Sequence, residues 1–443
     1  MLLNSNGPED HVQFEHSFSK RLRALGGMEH LFWLFDQNRS TNFAIAAEIT
    51  GRFASAEWLA ALNAVRRRHP LLSSRIATDQ DGNPHFWSEP SAAIPLRVTE
   101  EAGRHWSQEV AVELHRRFDP ATAPLVRAVV MQNARRSTLI LVAHHAVADG
   151  MGGAGLIADV LSALSGAQML PLPLVPSLEA LLAETLDAVP PQASPPFAPV
   201  PKAFHAPDAA VHIDTVAFSR VVTSRLIDQA RSAGTTVHGA ITAAAYAALR
   251  DLSAQHRKGQ IRTLTPMNVR FLSDDVANSL GVHITLPVTI NEDAADTAFW
   301  DVARSVRREI VELKSKLASI AQLSAVRAAM STRPSVEFVA DLGSAVLAFD
   351  LILTNLGNEP IQTSYGAIEL TGLWGPMVTS GFADDQVIGA CTSDGRLRLT
   401  LTSRAPIKGL LEQIHKILTH GTIGSPNSMI PGVRPDAGIR RSC

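Results

Sequence analysis

The chain has 443 residues, 46% hydrophobic and 19% charged, which is enough to bury large cores and more than one core ordinarily fills. Lysine plus arginine (40) nearly balances aspartate plus glutamate (42), for a net charge of -2 with histidine neutral. The basic clusters Arg66-Arg67-Arg68 and Arg304, Arg307, Arg308 are short and sit in helix-like segments, so they read as solvated faces and no nucleic-acid partner is expected.

In chain order, residues 1–16 are polar and acidic where a signal peptide would carry its apolar run. Ser55 to Arg68 places Trp58, Leu59, Leu62 and Val65 on one helical stripe, closed by His69-Pro70 and followed by a strand over Leu72 to Ala77. Thr138 to Ala143 (TLILVA) predicts a strand buried on both faces. A loop follows, and then a helix over Gly155 to Leu164. Ten of the 26 prolines fall between Pro171 and Pro207, which marks a linker or crossover with helical periodicity only around Leu178 to Val189. Beyond it, Val237 to Leu252 predicts a helix, and Arg262 to Pro266 and Val282 to Ile290 predict strands. Asp394-Gly395 predicts a hairpin turn into the strand Arg396 to Thr402. The longest apolar tract, Leu139 to Leu164, is broken by His144, His145, Asp149 and glycines, so no membrane span is expected. Two cysteines, Cys391 and Cys443, make no disulfide framework and match no metal-ligand spacing, which predicts a reducing, cytoplasmic setting.

The stretch AHHAVADGMGGAG (143–155) admits two parses. Gly150, Gly152 and Gly155 satisfy G-x-G-x-x-G, but six residues intervene after the strand, and the acid-bearing second strand that a dinucleotide fold needs is replaced by proline-rich LPLPLVPSLE. The other parse is H-H-x-x-x-D-G. A neutral imidazole titrates near ~6.5, close to working pH, and suits a base that removes an acceptor proton during attack on a thioester. Because thiolate leaves readily, one positioned histidine suffices without a covalent intermediate. Two plainer readings of the same residues stand beside this one. The histidines can be hydrogen-bonded core residues, or His144, His145 and Asp149 can ligate a metal, although no third-ligand pattern such as H-E-x-x-H is nearby.

With these residues in view, the chain resembles the HHxxxDG superfamily of thioester-dependent acyltransferases. That superfamily includes chloramphenicol acetyltransferase, peptide-synthetase condensation domains, polyketide-associated acyltransferases and alcohol acetyltransferases. Further stretches follow in the family's order: LGGMEHLFW (25–33), RRHPLLSSRI (67–76), TTVHGAITAAAYAAL (235–249), TPMNVR with NSLGVHITLPV (265–288), and LTNLGNEP (353–360), where Thr354 replaces a serine. The resemblance implies an α/β (α+β) fold of two chloramphenicol-acetyltransferase-like halves in a V around a central tunnel. The halves would be residues 1–170, carrying the motif, and 211–443, joined by the Pro-rich crossover 171–210. It implies His145 as general base, with His144 beside it, and Asp149 paired with Arg270 to hold the loop. Gly150 would provide the turn, and Asn355 and Gly357 would position substrate. It also implies no metal and no permanently bound cofactor. The implied donor is acyl-CoA or an acyl-phosphopantetheine carrier, and the acceptor a small-molecule alcohol, giving an ester in lipid, polyketide or other natural-product biosynthesis. The alternatives are an amine acceptor, giving an amide, and a non-catalytic condensation-like binding protein. A carrier protein is a further expected partner, and a monomer the expected state. The DFGWG segment of the plant branch is absent, with LWGPM (373–377) nearest to it. Asp341-Leu342-Gly343-Ser344 resembles a phosphopantetheine site but is embedded in an apolar stretch, so a free-standing enzyme is expected.

Overall fold

The computed structural model describes residues 19–189, 203–206, 208–292, 297–346 and 349–420. Cys443, residues 1–16 and part of the Pro-rich crossover lie outside the described residues. Two six-stranded mixed sheets dominate. The first runs in the order Ser364–Tyr365, Ile368–Val378, Phe43–Thr50, Arg136–Ala143, Val126–Gln132, Leu96–Glu100. The second runs Val288–Asn291, Ile261–Leu264, Leu351–Asn358, Gln386–Ser393, Arg396–Ser403, His212–Ala217.

Several elements form where periodicity places them. The helix Ser55–Arg68 buries Trp58, Ala61, Leu62 and Val65, spaced i, i+3, i+4, i+7. Leu59, expected on that stripe, is 44% exposed because i+1 lies about 100° around the helix from Trp58, and Ala61 takes its place. The helix Val237–Leu252 is as expected, started by the Thr236 side chain, which accepts from Gly239 N–H. Strand Arg136–Ala143 is buried along its length after Arg136, between two antiparallel neighbours. Asp394 and Gly395 both have positive φ (53° and 62°), the backbone of a type I′ turn, which sets the register Ser393↔Arg396.

Elsewhere the chain departs from the pattern. Residues 282–290 form two short strands, Ile284–Thr285 and Val288–Asn291, in different sheets. Leu178 to Val189 forms two short helices, Leu178–Leu181 and Ala183–Asp187. The expected partition into 1–170 and 211–443 does not separate the two sheets. Strands Ser364–Tyr365 and Ile368–Val378, from the second half, complete the first sheet, with Trp374 opposite Ala46 and Met377 opposite Ala44. That exchange covers an edge of the first sheet and ties the halves through backbone hydrogen bonds. Helices Gly27–Asn38, Lys316–Ser331 and Val336–Val346 pack together beside the junction, in a third core of Met28, Leu31, Leu34, Leu323 and Val339.

Candidate active site

The histidine loop leaves the end of strand Arg136–Ala143 and enters a helix that begins at Gly150, five residues earlier than expected. Asp149 is the reason. Its side chain accepts from Gly152 N–H at 2.7 Å and caps the helix. The glycines expected to turn a loop therefore occupy the first helical turns. Gly150 has no positive φ. It is needed because a Cβ there would lie 2.7 Å from Pro376 Cγ, on the strand donated by the second half. At Gly153 a Cβ would meet Phe43 at 2.7 Å. Close approach, rather than a turn, accounts for Gly150 and Gly153.

Asp149 also meets Arg270. The guanidinium donates from both ends, Nη1 to Oδ2 at 2.7 Å and Nη2 to Oδ1 at 3.0 Å, and His283 N–H adds a fourth bond to Oδ2 at 2.9 Å. The carboxylate is fully buried and Arg270 only 12% exposed. Burial pushes the Asp149 carboxyl up, but Arg270 outweighs it and the group is held below the usual carboxylate range. The pairing implied by the resemblance is thus present across 121 residues of chain, and it locks the loop onto the second half.

The two histidines are used differently. His144 is fully buried, and its Nδ1 accepts from Ala146 N–H at 3.1 Å. That acceptor role puts the proton on Nε2, which faces Asp36 Oδ2 at 3.5 Å. Asp36 is buried, which raises its carboxyl. His144, the Thr41 N–H and nearby Arg117 outweigh this and keep it ionised below its usual range. His145 stacks flat on Phe32, with centroids 4.0 Å apart and planes 4° apart, and Phe43 borders it at 5.0 Å. Burial lowers its pKa to about 4, and the Asp149 charge and nearby backbone carbonyls do not offset this. The sequence left the direction of that shift open; the aromatic enclosure settles it downward. Nδ1 is buried close to the backbone carbonyls of His145 and Ala148, without a well-formed hydrogen bond to either, which leaves the Nε2 edge toward the cavity.

His145 lines an apolar cavity of about 120 Å³ walled by both halves, including Phe32, Phe43, Met151, Leu264, Leu356 and Phe382. None of its lining residues is aspartate, glutamate, lysine or arginine. A second, more polar cavity of about 480 Å³ lies beyond the start of the same helix, where Arg68, Arg270 and Gln362 are among its walls. Met151 borders both cavities. Of the expected positioning pair, Asn355 lines the first cavity. Gly357 is exposed, has φ 89°, donates its N–H to Asn355 Oδ1 at 2.8 Å and is not among the lining residues. His144, His145 and Asp149 spend their side chains on three separate surroundings. Among the described residues no group of three or more His, Cys, Asp or Glu side chains is placed to hold a metal ion, and no helix is long and apolar enough to cross a membrane.

Two residues of this site escaped the sequence analysis. Phe32 sat within LGGMEHLFW, but its contact with His145 spans over a hundred residues and leaves no local signal. Asn268, in TPMNVR, accepts Arg270 N–H on Oδ1 at 3.0 Å and lines the cavity, which leaves its amide N–H₂ available. The DLGS stretch lies in helix Val336–Val346, where Gly343 packs against Phe35.

Residues 27–171 match the condensation-domain family. The whole fold agrees. The first condensation domain of the CDA synthetase superposes with a TM-score of 0.68 at 15% identity, covering 94% of this chain and 99% of that one. The chain has the fold of condensation domains and chloramphenicol-acetyltransferase-like proteins, and its residues 27–171 carry the condensation-domain sequence pattern. The same fold is found in trichothecene 15-O-acetyltransferase from Fusarium sporotrichioides, with a TM-score of 0.64 at 11% identity, over 90% of this chain and 94% of that one. In sequence, vanchrobactin synthetase VabF of Vibrio anguillarum is 33% identical over 141 residues, 29% of this chain and 5% of VabF. The matches span between 2% and 33% of the lengths of the curated relatives. A condensation-domain fold thus surrounds a motif histidine that opens onto an uncharged cavity.

Proposed function

We propose that this protein is an acyltransferase that moves an acyl group from a coenzyme A or carrier-protein thioester to the hydroxyl of a small molecule. The observation that carries the reading is His145: neutral at physiological pH, clamped by aromatic rings, and exposed only to a cavity between the two halves. As the acceptor oxygen attacks the thioester carbonyl carbon, its proton passes to His145. The carbon–sulfur bond then breaks, and the proton leaves with the thiolate as free thiol. The imidazolium formed in between lies over the Phe32 ring, where a cation is attracted to the π face. Asp149 and Arg270 hold the loop and do not touch the reacting atoms. Asn268 is the side chain suited to donate to the developing oxyanion.

The cavity lining favours a hydroxyl over an amine. An amine acceptor arrives largely as ammonium, and no carboxylate lines this cavity to compensate its desolvation. The fold's inclusion of an O-acetyltransferase agrees with this preference. The test is thiol release by purified protein from short and long acyl-CoA donors and acylated carrier protein, against a panel of alcohols and amines. Release with alcohols, lost roughly 10²- to 10⁴-fold in His145→Ala, is the expected result. Undiminished release in that variant refutes the assignment, and preference for amines makes the product an amide.

A further inference from the structure

Phe35 and Gly343 face each other behind the cavity. Phe35 projects from helix Gly27–Asn38 and lines the same space as His145. Gly343 sits inside helix Val336–Val346, where a Cβ would lie 2.3 Å from Phe35 Cε1 and 2.5 Å from Cζ. Glycine weakens a helix interior, so its presence there calls for a packing reason. Here the reason is the phenyl ring, which rests against bare backbone and has no further room to withdraw. The space in front of the ring is small. At about 120 Å³ it falls below the ~300–1,000 Å³ usual for small-molecule pockets. Phe32, Phe43, Phe349 and Phe382 complete aromatic walls that carry no ionised side chain.

We infer that Phe35, seated on Gly343, is the gauge that limits the substrate to a short, uncharged acyl group. This rests on the acyl-transfer reading of the same cavity. A ring held from behind by backbone is a stiff wall, and a stiff wall rejects added methylenes sharply. In an apolar pocket one methylene changes kcat/KM by roughly 10- to 200-fold. A terminal carboxylate on the acyl chain would lose its hydration among phenyl rings without a cationic partner, so such chains are rejected whatever their length.

The two residues push in opposite directions, which makes the gauge testable. Phe35→Ala deepens the cavity and moves the preferred acyl chain to greater length. Gly343→Ala drives the ring forward and moves it to shorter length. Phe35→Leu combined with Gly343→Ala returns it toward the wild type, and this double variant covers the case in which Gly343→Ala alone folds poorly. The full-length variants are assayed for thiol release across a straight-chain acyl-CoA series with one alcohol acceptor. In parallel, binding of straight-chain primary alcohols of increasing length is followed by thermal shift. Opposite displacements of the length optimum, with ω-carboxy chains refused, support the inference. Turnover whose length profile is identical in all variants overturns it while leaving acyl transfer standing, as do displacements of both variants in one direction. If no thioester is turned over but alcohol binding shifts with length in the two opposite senses, the acyl-transfer reading fails and the gauge remains.

Discussion

Replacing Asp149 with alanine removes four hydrogen bonds at once: two from Arg270 and one each from Gly152 and His283 N–H. Stranding the 12%-exposed guanidinium costs about 3–5 kcal/mol. The lost helix cap adds ~0.5–2, and the orphaned His283 N–H, in a residue 2% exposed, adds ~1–3. These losses overlap, since Arg270 borders the second cavity and can be solvated there, so about 4–6 kcal/mol is expected, a large share of the ~5–15 that holds a domain folded. Arg270→Ala is milder. It leaves the carboxylate its two backbone donors, and burial then drives the Asp149 pKa upward, so the group neutralises instead of remaining a stranded charge. The wild-type carboxyl, depressed, stabilises the fold above its unfolded pKa of ~3.9 and loses that contribution as pH falls. In Arg270→Ala the raised carboxyl reverses the sense, and its contribution is lost as pH rises from ~3.9 through the new folded value. Calorimetric unfolding of both single variants and the double variant, at several pH values from 4 to 7.5, measures this. The expected pattern is a less-than-additive double variant and an Arg270→Ala deficit that grows with pH. Additive losses, or a deficit independent of pH, would refute the claim that the two residues form one unit.

Three further expectations follow from the same geometry. Plotted against pH, kcat/KM should stay level from 7 to 5 and fall tenfold per unit below about 4, the depressed pKa of His145; Phe32→Leu, by loosening the ring that shields the imidazole, should move that limb upward, and an unmoved limb would show that Phe32 does not control it. His30, His145, His238 and His283 are each lowered to about 4, first of all by burial, so midway between ~4 and ~6.5 the unfolded chain binds up to four more protons at these sites than the folded one, and stability measured by denaturant titration should fall by up to about 5 kcal/mol per pH unit as the pH drops from 6 to 4. Gly150→Ala, forced against Pro376, should both destabilise the protein and displace the His145 loop, whereas Asn268→Ala, which strands the Arg270 N–H, should cost about 1–3 kcal/mol of stability and lower kcat by roughly 10²–10³-fold if its amide serves the oxyanion.

What the sequence by itself determined is whatever short-range physics encodes. The helices Ser55–Arg68 and Val237–Leu252 follow from apolar spacing and end signals within their own residues, and the Asp394-Gly395 hairpin follows from two residues that tolerate positive φ. The histidine motif was legible for the same reason, being seven consecutive residues. Its partner Arg270 was named only through the family resemblance, because nothing local ties residue 149 to residue 270. Tertiary structure decided the rest. Asp149 became a helix cap as well as an ion-pair partner, and Gly150 and Gly153 became contact points for Pro376 and Phe43 inside a helix rather than parts of a loop. Residues 364–378 joined the first sheet, where Ile368–Val378 pairs with Phe43–Thr50, a partner so distant in the chain that no pattern within either strand specifies it. The pKa of the proposed base was also set there. An imidazole carries no sequence mark of the ring it stacks on, and Phe32 reaches His145 only after the chain has folded back across more than a hundred residues.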